Sequence, residues 1–323
     1  MRPYCNRMED ALMTEVPQLL EADVAEVTIL VDNYLDMFTA PTTDIDKRPP
    51  FSLDRPLLAE HGLSCLVRLS AGGRTHDILM DTGISPGCML HNARQLNIPL
   101  DRVEALVLSH GHFDHTGGIC PFLAQAGRQV PLILHPDAFL SRRLNNPKHG
   151  IAALPTPDRA ELRKAGADIM VRPGPSALAS GHLLVTGEVE RTTPFEKGFP
   201  GMEYRDGNSW VPDPIRDDQA IVINVKGKGL VVISGCAHAG IINTVRYAHK
   251  ITGVEKIYAV MGGFHLTGPL FSPVIQPTID AMKRLDPAYV VPMHCTGWDA
   301  INRFMEAMPG RIILNTVGTK YVF

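Results

Sequence analysis

Apolar residues come along this chain in short bursts separated by glycine, proline and polar residues, and the bursts follow two periods. In the first half, Val24 to Val31, Ser64 to Leu69, Asp77 to Met80, Ala105 to Leu108 and Val130 to His135 are brief and mostly apolar. Several are β-branched, which predicts strands. Ser64 to Leu69 and Asp77 to Met80 flank Ala71-Gly72-Gly73-Arg74, a glycine turn that predicts a hairpin. Pro86 to Asn97 predicts a helix, stopped by Pro99 just beyond it. In the second half Gln219 to Val225 and Leu230 to Ile233 predict another hairpin, about Lys226-Gly227-Lys228-Gly229. Lys256 to Met261, Ala288 to Val291, Arg311 to Leu314 and Lys320 to Phe323 read as further strands. Between them Ile241, Val245, Ala248 and Thr252 recur at helical spacing. Pro277 opens a predicted helix reaching Leu285. Another puts Trp298, Ile301, Met305 and Met308 on one face, between Thr296 and Pro309-Gly310.

Three stretches depart from this rhythm. Ala11 to Leu20 predicts a short helix in an otherwise featureless extension, residues 1–23. Residues 39–56 are rich in Pro, Asp and Thr, which marks a loop. From about 137 to 218 the pattern fades among nine prolines, with one short helix predicted over Asp158 to Lys164. A connection that long is seldom idle in a compact domain. It reads either as a pocket wall carrying Phe195, Phe199, Tyr204 and Trp210, or as a surface excursion anchored by those rings.

Composition narrows the class. Among 323 residues, 45% are hydrophobic and 20% charged, as in an ordinary soluble globular protein. A formal charge of −3 gives no electrostatic reason to expect nucleic acid. No apolar run approaches ~20 residues, so no membrane span is expected. The first residues lack the apolar core of a secretory signal. Cys5, Cys65, Cys88, Cys120, Cys236 and Cys295 are scattered, which fits reduced thiols in a cytoplasmic protein.

The chemistry concentrates in Ser109-His110-Gly111-His112-Phe113-Asp114-His115-Thr116-Gly117-Gly118, just past the strand Ala105 to Leu108. Three imidazoles and a carboxylate within six positions at a strand end suit divalent metal binding. His110-x-His112 lets two rings of an extended segment converge on one ion, and Asp114-His115, past a bend, can face a second.

His110-x-His112-x-Asp114-His115 resembles the signature of the metallo-β-lactamase superfamily. Met80-Asp81-Thr82-Gly83, Ser234-Gly235-Cys236-Ala237-His238, Gly262-Gly263-Phe264-His265-Leu266 and Pro292-Met293-His294-Cys295-Thr296-Gly297 follow in the order that resemblance implies. With Glu60-His61-Gly62, the later stretches are similar to the dihydropterin–ribofuranosylaminobenzene phosphate synthase-like branch. The resemblance implies an α/β (α+β) fold, a four-layer αββα sandwich of two packed mixed sheets flanked by helices. Residues 1–323 would form a single such domain, with 1–23 peripheral and 137–218 an insertion covering the pocket.

It further implies two divalent ions, zinc in first place and manganese or iron as alternatives. His110, His112 and His238 would share one ion; Asp114, His115 and His294 would hold the other. Asp81 would orient a ligand imidazole. His265 is expected to contact substrate or move a proton, and His61 is a second candidate. Asp114 and His265 are the expected catalytic residues. Many relatives carry a bridging aspartate where this chain has Gly235-Cys236, so a bridging carboxylate is not expected. Cys236 itself is expected to be a buried, inert thiol, with a soft ligand for zinc as the alternative.

Two ions can make hydroxide from water at neutral pH and can clamp an oxyanion or phosphate. The resemblance implies gripping a diphosphate while an arylamine displaces it, with a phosphorylated small molecule as substrate. Hydrolysis of a phosphodiester, lactone or thioester uses the same centre, and a metal-dependent binding protein without turnover is the third reading. Oligomeric state leaves no mark in the sequence.

Overall fold

The computed structural model describes residues 16–323. The strands expected from short apolar runs assemble into two large sheets. One has eight strands, running in spatial order Ala167–Val171, Val130–Leu134, Ala105–Val107, Arg74–Met80, Ser64–Ala71, Val24–Val31, Lys320–Val322 and Asp46–Lys47. The other is ordered Ser176–Leu178, Leu183–Val185, Ala220–Val225, Gly229–Ser234, Ile257–Gly263 and Tyr289–Met293, and Glu21–Ala22 joins Ala220–Val225 in parallel. Both sheets are mixed, and their hairpins at Gly72-Gly73 and Lys226 to Gly229 pair in antiparallel register.

The runs are nearly all apolar because both faces of each sheet are covered. Val27, Val67, Ile78 and Val107 meet Ile221, Val231, Ile233 and Met261 between the sheets. The alternate residues Leu30, Leu66, Leu79 and Leu106 turn outward, against the helices Cys88–Gln95 and Ile119–Ala126. On the far side Val222, Val232 and Val260 pack under Ile241–Thr252, Ser272–Leu285 and Trp298–Ala307. This is the four-layer αββα architecture, and it explains why period-two alternation was masked in sequence.

Several elements differ from expectation. Half of the stretch Ala11 to Leu20 lies outside the described residues, and residues 16–20 are not helical. The helix expected from Pro277 starts earlier, at Ser272, with Pro273 in its first turn and Pro277 inside. Pro277 lies past the first turn, so it removes one intrahelical hydrogen bond and crowds the carbonyl of Pro273. Arg311 to Leu314 makes only a bridge from Ile312 to Val290, too brief for a strand. The stretch 137–218 is far from structureless. It holds a separate four-stranded antiparallel sheet, ordered Ser209–Pro212, Met202–Asp206, Arg142–Asn146 and Gly150–Ala153. Its runs are short and largely exposed, so no apolar alternation announced them.

Candidate metal centre

Strand ends build the site. Asp81 follows Arg74–Met80, Ala237 follows Gly229–Ser234, His265 follows Ile257–Gly263, and His294 follows Tyr289–Met293. All four have φ between 47° and 57°, in the left-handed region. Non-glycine residues pay of order 1–3 kcal/mol there, and such strain collects where side chains must be aimed. Asp81, His265 and His294 thus project polar side chains over one end of the sandwich, and the turn at Ala237 does the same for its neighbours Cys236 and His238.

Three imidazoles meet there first. His110 Nε2 lies 3.0 Å from His112 Nδ1, while His238 Nε2 lies 3.2 Å from the former and 3.1 Å from the latter. All three side chains are buried. Burial, reinforced by neighbouring histidines for His110 and His238 and by Arg142 for His112, lowers their pKa values well below the usual imidazole range, to about 3 for His112. Neutral rings carry one N–H each, so three such nitrogens cannot satisfy one another. The triangle matches the spacing of neighbouring ligands around one tetrahedral ion with bonds of about 2.0–2.1 Å. The other nitrogens of His112 and His238 are buried without partners, whereas His110 Nδ1 meets Ser109 Oγ at 3.0 Å.

A second group faces the first. Asp114 Oδ2 lies 3.2 Å from His294 Nε2 and 3.7 Å from His115 Nε2. His294 Nε2 is buried, with the Asp114 carboxylate beside it. Its Nδ1 meets Asn33 Oδ1 at 3.0 Å, and Asp32 Oδ1 accepts its backbone N–H at 2.8 Å. His115 Nδ1 meets Asp81 Oδ2 at 2.6 Å. Burial works against a charged His115, but Asp114 and Asp81 overcome it and raise its pKa to about 9. Burial likewise opposes the Asp114 carboxylate, yet His115, His294 and His61 hold its pKa far below the ordinary range. His61, more than half exposed, sits at the rim with Nε2 3.4 Å from Asp114 Oδ2. That hydrogen bond raises its pKa against partial burial.

The Cys236 sulfur, expected among core side chains, instead points at the histidines. The residue is buried, but Sγ lies 3.2 Å from His115 Nε2. Ligand atoms of Asp114, His115, Cys236 and His294 all fall within 4.8 Å of one another, as do those of His110, Cys236 and His238. His265 lies alongside, its ring 4.3 Å from that of His238 and 4.9 Å from Phe199. Its ligand nitrogen forms a third group with Cys236 and Cys295. Of the four aromatics in the long connection, Phe199 reaches the centre, and Phe195 lines a cavity of about 30 Å³ beside His238 and His265. Trp210 packs instead beneath Arg143.

The comparisons fit this picture. The family model described as the metallo-β-lactamase superfamily matches residues 60–144. Over 255 residues, spanning 78% of this chain and 86% of the relative, the sequence is 34% identical to a protein of Methanocaldococcus jannaschii. That relative is named 7,8-dihydropterin-6-methyl-4-(β-D-ribofuranosyl)-aminobenzene-5′-phosphate synthase. The chain belongs to the metallo-β-lactamase superfamily. An uncharacterized protein of the same organism is 31% identical over 80% of this chain and 95% of its own length. A crystal structure described as a metal-dependent hydrolase of the β-lactamase superfamily shares the fold. Its TM-score is 0.72 at 23% identity, covering 92% of this chain and 98% of that one. With such relatives this superfamily member is an enzyme. No helix of its described residues is long and apolar enough to cross a membrane.

One part of the site went unnoticed in the sequence. Asp217 Oδ2 accepts the backbone N–H of Gly111 at 2.7 Å, Asp218 Oδ2 that of Ala239 at 2.8 Å, and Gln219 Nε2 donates to Leu108 O at 2.8 Å. Three consecutive residues therefore tie the His110–His112 turn to the His238 turn. Arg142 backs them, paired with Asp213 at 2.7 Å and Asp217 at 2.5 Å in a buried cluster. Gly111 is obligatory in this arrangement, because a Cβ there would run into the carbonyl of Ala138. The only signal was Asp217-Asp218-Gln219, three polar residues abutting a strand.

Proposed function

We propose that this enzyme uses two divalent ions to grip and activate a phosphate or diphosphate group of a small-molecule substrate, in a dihydropterin–ribofuranosylaminobenzene phosphate synthase-like transfer. His110, His112 and His238 would hold one ion, and Asp114, His115 and His294 the other. The observation that carries this is the pair of facing buried groups, the His110–His112–His238 triangle and the Asp114–His115–His294 cluster, whose nitrogen and oxygen atoms converge. The 34% identity to a named synthase supports the transferase over the hydrolase. Bound ions supply Lewis-acid stabilisation of the charge that develops on a leaving diphosphate. Zinc, manganese and iron all suit histidine and carboxylate ligands.

The chain's own residues do the remaining work. In the transfer a C–N bond forms at the pterin methylene as its C–O bond to diphosphate breaks, and the arylamine loses a proton. His265, partly buried beside His238, or His61, at the rim on Asp114, would accept that proton. Asp114 holds His61, His115 and His294 in one array. Phe199 and Phe271, packed against His265, offer faces on which a flat ring can stack. The cavity beside them holds little more than a water, so substrate entry displaces these rings, and the segment carrying Phe195 and Phe199 covers the site.

The test incubates metal-loaded enzyme with hydroxymethyl-dihydropterin diphosphate and aryl ribose phosphate, resolving the products by mass spectrometry. Metal-dependent appearance of the coupled product with equimolar diphosphate is the expected result. Release of diphosphate or phosphate without coupling would move the assignment to a hydrolase.

A further inference from the structure

We infer that Cys236 is a shared ligand, its thiolate lying between the two ions and joining the His110–His112–His238 site to the Asp114–His115–His294 site. The inference rests on the two-ion reading above and adds to it the group that makes the two sites one. Its basis is geometric. Cys236 Sγ is the single atom that belongs to both groups, within 4.8 Å of ligand atoms of His110 and His238 on one side and of Asp114, His115 and His294 on the other. The nearest of these, His115 Nε2, is 3.2 Å away.

The backbone holds the sulfur there. Ala237 takes a left-handed turn at φ 52°, so Cys236 and His238, two positions apart, both face the centre. Behind Cys236 the strand ending in Gly263 presses close. A Cβ on Gly263 would come within 2.6 Å of Cys295 Sγ and 3.2 Å of Cys236 Cα. Cys295 closes the rear, its thiol donating to Cys236 O at 3.7 Å. Thus Cys236 cannot retreat into the core, while Cys295 is tied to the backbone and belongs only to the group with His265 and Cys236.

Charge argues the same way. Three of the six other ligands named above are neutral imidazoles at one ion, and Asp114 is the only carboxylate among the six. Two divalent cations in a buried pocket repel one another strongly, and a shared anion between them screens that repulsion. A metal-bound thiol is deprotonated outright, so the ions would create the anion they share. A soft sulfur also biases the centre toward zinc and away from manganese or magnesium.

Zinc-loaded full-length protein, with zinc counted by elemental analysis, gives the test through X-ray absorption at the zinc edge. A shared thiolate makes each ion see sulfur, giving on average about one sulfur per zinc at ~2.3 Å. Cys236→Ser should lose that shell while Cys295→Ser keeps it. Cobalt-loaded protein gives a second readout, a sulfur-to-metal charge-transfer band that vanishes in Cys236→Ser. Should Cys236→Ser fail to fold, Cys236→Asp, with a shorter carboxylate bridge, is read in its place. Two zinc ions with no sulfur, with about half a sulfur per zinc as one ion's private ligand would give, or with a shell lost only in Cys295→Ser would overturn the inference and leave the two-ion reading standing. Failure to bind zinc at all would instead overturn the two-ion reading itself.

Discussion

His115 turns its Nδ1 onto Asp81 Oδ2 at 2.6 Å, and neither side chain is exposed to solvent. Asp81 also accepts the Ser109 backbone N–H at 2.7 Å and the Ser109 hydroxyl at 2.6 Å. One carboxylate therefore fixes both the tautomer of His115 and the start of the His110 turn. Asp81→Asn should leave the fold intact, because an amide oxygen still accepts from Ser109. It should weaken the ion at Asp114, His115 and His294 by about 10–100-fold. Zinc titration against a competing chelator dye checks this, and unchanged affinity at both sites would remove Asp81 from this role.

The two sites should answer to pH differently. In metal-free protein His115 is protonated at neutral pH, since Asp114 and Asp81 raise its pKa to about 9 against burial. It must lose that proton to bind an ion. In Cys236→Ser, where no bound thiol gives up a proton, affinity at its site should therefore rise about tenfold per pH unit from about pH 6.5 to about pH 9, then level off. His110, His112 and His238 are held neutral by burial, so in the same variant their ion should show no such slope over that range. Zinc isotherms at several pH values separate the two.

Asp114→Asn removes the one carboxylate among the six nitrogen and oxygen ligands. The variant should fold, retain the ion of the three-histidine site and lose most of the other. Turnover should fall at least tenfold, about 1.4 kcal/mol or more. Elemental analysis showing two ions per chain with undiminished turnover would rule Asp114 out.

The Arg142 cluster offers a test away from the ligands. Asp217→Ala leaves the buried Arg142 guanidinium with Asp213 alone and frees the Gly111 N–H. Losing one partner of a buried pair typically costs 3–5 kcal/mol. Denaturant unfolding of metal-free protein should show a loss of about that size, and zinc affinity at the His110–His112–His238 site should fall as well. Arg142→Met should cost at least as much stability, since it leaves Asp213 and Asp217 buried together without their shared cation.

How much of this was legible along the chain depends on range. The His110–His115 motif, the hairpin turns and the apolar runs are local, and a strand end that concentrates imidazoles needs no partner to be recognised. Short-range steric and hydrophobic preferences determine those features, so the strands and hairpins could be read from them, whereas the two-sheet sandwich and the order of its motifs were implied by the resemblance to the metallo-β-lactamase superfamily. Cys236 could not be placed the same way. Whether its sulfur faces core or cluster turns on the left-handed twist at Ala237 and on the closeness of Gly263, a contact between strands 28 positions apart in sequence. The clamp of Asp217 on Gly111 spans 106 residues, and that of Asn33 on His294 spans 261. The helix start at Ser272 and the small sheet within 137–218 likewise depend on packing that no local period records. Side-chain type and spacing told which atoms could bind an ion, and only the convergence of strand ends from both sheets decided which of them meet.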